Sequence, residues 1–251
     1  MLSVIDILIV GASAALSARL YFSGLHRRYR AFFLFLIFFT LQNVPLAVLS
    51  TASNAYQKIW VLTEPIGWFF YAWVVLELYS LVLKDYKGLY TAGRWLLMAA
   101  IFVALFASAF TLVVPNHFTK QSSLMVYYYS AERAVYCSLF VFLLTILALL
   151  LRYPIVLNRN SILHSVVFSI YFFSNTVIYL VLSTMGFGEL RLVSYAIQAV
   201  NLGSIAFWLA LLNPAGEQRP QRLRPAWMPG HEEKLVSQLN SINVALLRAT
   251  R

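Results

Sequence analysis

Seven long apolar runs, separated by short polar breaks, cover most of the chain: residues 2–21, 31–49, 59–83, 95–114, 126–151, 162–185 and 192–212. Each is close to the roughly 20 residues that a helix needs to cross the hydrocarbon of a bilayer. A membrane barrel would show short segments alternating apolar and polar positions, and an open backbone finds no partner in hydrocarbon. The pattern therefore predicts an all-α integral membrane protein, a bundle of seven transmembrane helices. It changes after Asn213-Pro214, where residues 215–230 form a polar linker carrying Pro220, Pro225 and Pro229. Helical spacing returns over 231–251, with Leu235, Leu239, Ile242, Leu246 and Ala249 recurring at gaps of four and three. That single stripe suits a short amphipathic helix, or the seam of about two heptads. It predicts a helix on the inner membrane surface or inner loops, a dimer or partner-binding face, or a frayed tail. The expected organisation is thus a bundle over 1–214, a linker over 215–230 and a cytoplasmic helix over 231–251.

Composition agrees with this picture. The chain is 61% hydrophobic and 11% charged, where soluble domains are about half apolar and about a quarter charged. A soluble globular domain, a disordered chain and a disulfide scaffold are excluded, the last because Cys137 is the only cysteine; it reads as a packing residue. The first apolar run has no Lys or Arg ahead of it, so it reads as a span rather than a cleavable signal.

The net charge of +10 changes the picture through its placement. Alternating the loops across the membrane puts 15 of the 19 Lys and Arg on one side, leaving Lys58, Lys120, Arg133 and Arg191 on the other. The positive-inside rule then places the N-terminus outside and the C-terminus in the cytoplasm. The excess charge is an inner collar facing the lipid bilayer and its anionic headgroups, not a nucleic-acid footprint. A shift of 133 residues lays the first three spans on the last three, matching Arg19 with Arg152 and Val48-Leu49-Ser50 with Val181-Leu182-Ser183. Span four would then be the linker of a three-plus-one-plus-three repeat, a plan used by transporters.

Chemistry is narrowed by exclusion. No lysine lies within a span to hold retinal. His26, His117, His164 and His231 are too scattered to join acidic or sulfur ligands around a metal, or to face one another across a haem. The metalloprotease, serine-hydrolase and nucleotide-loop motifs are absent from the sequence, so no catalytic set, metal or cofactor is expected.

Polar residues inside the spans remain, and these are expensive in hydrocarbon. Glu64 precedes Pro65, whose missing N–H kinks a helix, and Trp60, Trp68 and Tyr71 offer aromatic walls around it. Gln42 and Asn43 in span two, Asn175 in span six, and Gln198 and Asn201 on one face of span seven fall in the outer half or near mid-depth. Together they predict an outward-facing pocket for a small molecule or lipid. The plainer alternative is interhelical glue for the amides and interfacial belts for the aromatics. Glu132, at the start of span five, is expected to pair with Arg133 at the interface. Glu77, about 20 Å along the helix from Glu64, is expected to pair with Arg19, Arg94 or Arg152 as an inner latch.

The layout also separates the chain from the eukaryotic-type seven-helix receptors. Glu132-Arg133 lies at the outer start of span five, not the inner end of span three, and Asn213-Pro214 is followed by Ala-Gly. Over about residues 1–214 the layout resembles the seven-helix sensing regions of bacterial membrane signalling proteins, without a diagnostic motif and without their kinase, cyclase or phosphatase output. The resemblance implies a sensor or receptor-like protein of the bacterial inner membrane. It would relay through Leu235, Leu239, Ile242 and Leu246 to a cytoplasmic partner or a second copy. A small transporter or channel built on the repeat, and a purely structural or assembly protein, are the alternatives.

Overall fold

The computed structural model of the chain describes residues 4–49, 53–83, 86–113, 123–153, 157–185, 190–218, 220–221 and 229–249. Ser50, His117, Lys120 and Pro225 lie outside the described residues. The elements are α1 (Val4–Phe22), α2 (Arg30–Val48), α3 (Asn54–Val82), α4 (Lys87–Val113), α5 (Ser123–Arg152), β1 (Leu157–Asn158), α6 (Arg159–Met185), α7 (Leu190–Leu211), β2 (Pro220–Gln221) and α8 (Pro229–Ala249). Seven of them, α1 to α7, are long and apolar enough to cross a membrane. By helix length and composition this is a multi-pass membrane protein.

Three helices start where a side chain satisfies backbone N–H groups that have no partner within the helix. Ser53 caps α3 by accepting the Tyr56 N–H at 3.1 Å, so the helix begins ahead of its apolar run. The caps of the other two come from distant residues. Glu77 of α3 accepts the Ala31 and Phe32 N–H groups at 2.9 and 3.3 Å and so caps α2. Asn243 of α8 accepts from Gly88 at 2.7 Å and Leu89 at 3.4 Å, which lets α4 begin at Lys87, ahead of the run expected from residue 95. Between α1 and α2 the chain turns at Gly24, whose φ of 74° is the left-handed conformation that glycine adopts without strain.

The helices pack as a ring in the order α1, α2, α3, α5, α6, α7 and back to α1, with α3 also touching α6. α4 stands outside, against α5 and α8. The division shows in burial: 50% of the spanning stretch of α6 is buried, against 6% for α4. Leu97 of α4 is fully buried, while Trp95, Phe102 and Phe106 are exposed. Similar apolar side chains, including Phe69, Ile170 and Phe207, face outward around the ring. A surface of this kind suits lipid and is costly in water. Cys137 belongs to it: the residue expected in the packing is exposed on α5.

Inside the ring the core is aromatic. Phe32, Phe168 and Trp208 pack within 5.7 Å of one another between α2, α6 and α7. Gly93 lets α4 approach α3, since a Cβ there would run into the Tyr79 side chain. The connections between α1 and α2, and between α5 and α6, meet the segment after α7 at one end of the bundle, called here the basic end. At that end β1 pairs antiparallel with β2, Leu157 opposite Gln221 and Asn158 opposite Pro220.

Candidate functional site

α3 and α5 are neighbours in the ring, and Glu64 and Glu132 each lie about three turns from the start of their helix. Both are buried, at 8% and 3% exposure, and their carboxyl groups lie close enough to interact, with Glu132 Oε2 buried without a hydrogen-bond partner among the described residues. Two ionised carboxylates only accept hydrogen bonds and repel each other, so a buried pair is stable when one of the two carries a proton. Tyrosines complete the setting. The Tyr136 hydroxyl, one helical turn beyond Glu132, donates to Glu132 Oε1 at 3.0 Å, and the Tyr179 ring of α6 stacks on Tyr136 at 5.9 Å. Trp68, one turn beyond Glu64, lies beside that carboxyl.

The polar cluster continues inward. The Tyr136 ring packs against Tyr71 and Tyr171, with centroids 5.5 and 6.0 Å away, and the hydroxyls of those two lie 2.7 Å apart. Asn175 sits between Tyr171 and Tyr179 at four-residue spacing, so all three share one face of α6. Its amide donates to the Tyr171 carbonyl at 2.9 Å, while its Oδ1 is buried without a partner among the described residues. On the other side of the pair, Trp60, Trp68 and Tyr128 form an aromatic cluster, with Tyr128 5.6 Å from Trp60 and 5.8 Å from Trp68. Tyr129 adds a further ring 5.8 Å from Trp60. Pro65 lies within α3 and removes the N–H that would bond to the carbonyl four residues earlier, loosening the backbone beside Glu64.

The other expected site residues are distributed. Gln42 donates to Thr63 Oγ1 at 2.8 Å, joining α2 to α3, and Asn43 donates to the Phe39 carbonyl within its own helix at 2.8 Å. Gln198 reaches across to α1, donating to Asp6 at 2.7 Å. Asn201, on the same helix, instead lines a cavity of about 10 Å³ with Tyr171, Ser204, Trp208 and phenylalanines of α2 and α6. Glu132 faces Glu64 and Tyr136, not Arg133, because successive helical residues point to different faces. Glu77 is occupied with the start of α2, while Arg19 donates to the Leu209 carbonyl, and Arg94 and Arg152 are exposed. The α8 stripe divides: Leu235 and Leu239 are buried and Ile242 is exposed. The packed face follows a four-residue spacing through Leu239, Asn243 and Leu247 rather than a heptad.

A second polar centre, unforeseen in the sequence, lies at the basic end around Glu217, in the 3-10 turn Pro214–Glu217. Its carboxylate receives Arg28 Nε at 2.7 Å, the Tyr29 hydroxyl at 2.7 Å, Asn160 Nδ2 at 2.7 Å and Asn158 Nδ2 at 3.1 Å. Tyr29 has one proton and gives it to Glu217, so at 3.3 Å the Ser161 hydroxyl must be the donor to Tyr29. Burial pushes the Tyr29 hydroxyl well above the ordinary tyrosine range; Ser161 opposes that shift and Glu217 adds to it. Gly216 is required by close packing, because a Cβ there would strike the Asn160 side-chain amide. Beside this centre His164 is fully buried among Tyr29, Phe32 and Trp208, and neither ring nitrogen has a partner among the described residues. No three His, Cys, Asp or Glu side chains converge among the described residues.

The missed tyrosines carried a sequence signal. Tyr136 stands four residues beyond Glu132, and Tyr171 and Tyr179 flank Asn175 at the same spacing, which sets a polar stripe on one face of each helix. No family model matches the chain, nor does any curated protein or solved structure.

Proposed function

We propose that this multi-pass membrane protein is a sensor or receptor-like binding module, with its N-terminus outside and its C-terminus in the cytoplasm. Its ligand is a small molecule or lipid carrying an ammonium group. The observation that carries the reading is the Glu64–Glu132 pair beneath the rings of Trp60, Trp68 and Tyr128. Carboxyls at membrane depth are costly unless a function retains them, and an aromatic cluster beside a carboxyl is the setting in which cations bind by ring-face attraction. Entry of an ammonium group displaces the shared proton and leaves both carboxylates charged around it. The change passes along α3, whose Glu77 holds the start of α2. It ends at α8, whose exposed Ile242 and Val244 face a cytoplasmic partner or a second copy.

The test is thermal unfolding of the purified protein in micelles with choline, tetramethylammonium and a phosphatidylethanolamine-containing mixed micelle as probes. A ligand that binds the folded state raises the melting temperature. The expected result is a rise with at least one probe that Glu64→Gln removes. No rise with any of them, or an equal rise in Glu64→Gln, would sink the reading. A second reading, a small transporter, draws on the placement of α4 outside a ring formed by α1–α3 and α5–α7, the arrangement expected of a three-plus-one-plus-three repeat.

A further inference from the structure

The polar groups inside the ring form a series running from the carboxyl pair to the basic end. We propose that this series is a proton path through the bundle, from Glu64–Glu132 by way of Tyr136, Tyr171, the adjoining cavity, His164 and Tyr29 to Glu217. The inference shares the carboxyl pair with the sensor reading but needs no ligand.

The upper part of the path is a run of close polar groups, hydrogen-bonded at two of its links. Glu132 faces Glu64, Tyr136 donates to Glu132 at 3.0 Å, and the Tyr136 ring packs 5.5 and 6.0 Å from those of Tyr71 and Tyr171, whose hydroxyls lie 2.7 Å apart. The lower part is equally short: Tyr29 lies 4.5 Å from His164 between ring centroids and donates to Glu217 at 2.7 Å. Between them lies the cavity of about 10 Å³, room for about one water. Its walls include Tyr171 from the upper part, together with Trp208 and Phe168, which also flank His164. Polar atoms that such a water needs are in place, since Asn201 Oδ1 and Trp208 Nε1 are buried without partners among the described residues. His164 is the group best suited to the crossing, since a neutral imidazole accepts a proton on one nitrogen and releases one from the other.

Each step moves one proton and changes no bond between heavy atoms. A proton arriving at the carboxyl pair from the aromatic side displaces the one already shared. Once the Tyr136 hydroxyl has turned from Glu132 towards Tyr171, each hydroxyl accepts on its oxygen as it releases its own hydrogen to the next group. At Glu217 the departing proton leaves to water beside the exposed Arg28. The driving force is the proton gradient across the membrane, and the path resets when the hydroxyls rotate back.

The experiment uses the full chain reconstituted into liposomes of neutral lipid containing a pH-reporting dye, with a potassium diffusion potential set by valinomycin and no ligand added. The wild type is expected to acidify the lumen faster than protein-free vesicles. Tyr171→Phe, which removes one oxygen and keeps the ring packing, and His164→Phe are each expected to bring the rate down to that of protein-free vesicles. Wild-type flux equal to the protein-free rate overturns the path, and so does full flux in Tyr171→Phe. If His164→Phe does not fold, Tyr171→Phe decides alone. Failure here is distinct from failure of the ligand reading. His164→Phe leaves the ammonium-induced thermal shift intact if only the path exists below the pair, and Glu64→Gln removes that shift whatever the flux.

Discussion

Glu217, partly buried, and the buried Glu64–Glu132 pair lie towards opposite ends of one bundle, and their carboxyls are held in opposite ways. Glu217 has a guanidinium, a phenol and two amides as donors, so its charge is neutralised and both its oxygens are used. The pair has the Tyr136 hydroxyl as its donor, and otherwise each carboxyl faces the other. The first arrangement resembles a clamp, joining the α1–α2 turn, the start of α6 and the segment after α7. The second leaves on the pair a proton that a different charge could replace. A carboxyl surrounded by its donors stabilises a fold, and one that must share a proton with another carboxyl remains open to exchange.

Stability measurements can break this contrast. Glu217→Ala strips charged hydrogen bonds from Arg28, Tyr29 and Asn160, and the expected loss is about 3 kcal/mol. Glu132→Gln keeps the shape, still accepts from Tyr136 and offers an amide to Glu64, so the expected loss is under about 1 kcal/mol. Denaturant unfolding in micelles compares the two directly, and equal losses would show that both centres are structural. A smaller effect sharpens the clamp itself. Gly216→Ala presses a methyl against Asn160 and is expected to cost about 2 kcal/mol by overpacking, read as a lower melting temperature of the purified protein. The smallest effect is expected where α8 meets α4. Asn243→Ala removes a helix cap worth about 1 kcal/mol, and limited proteolysis should then cut the chain ahead of α8 faster than in the wild type. Unchanged cleavage would mean that Leu235 and Leu239 hold α8 without the cap.

The seven apolar helices were legible in the sequence because hydrocarbon tolerates few alternatives, and their lengths follow directly from the runs. The first turns of α4 were not, because Lys87–Gly93 is held by Asn243, far away in the sequence. Glu64 was legible by its cost in hydrocarbon. Glu132 reads as half of an interfacial ion pair because Arg133 is its neighbour in the chain, whereas adjacent helical residues face apart. Tyr136, Tyr171 and Tyr179 were hidden by the habit of tyrosines to sit in interfacial belts; their spacing of four was the available clue. Glu217 was passed over because a proline-bearing segment reads as linker. In the fold, Asn213 accepts the Gly216 N–H at 2.8 Å and turns that segment back onto the bundle.

The position of α4 outside the ring has one more consequence. Two triplets of helices that enter the membrane in the same sense cannot be joined by a short loop, because three crossings end on the far side from where they began. One additional crossing restores the parity. On the transporter reading proposed above, α4 beyond its first turns, which hold α8 and fit under Tyr79, acts as a topological spacer. Its length and greasiness matter there, and its particular side chains matter little, as befits a stretch that turns Trp95, Phe102 and Phe106 outward.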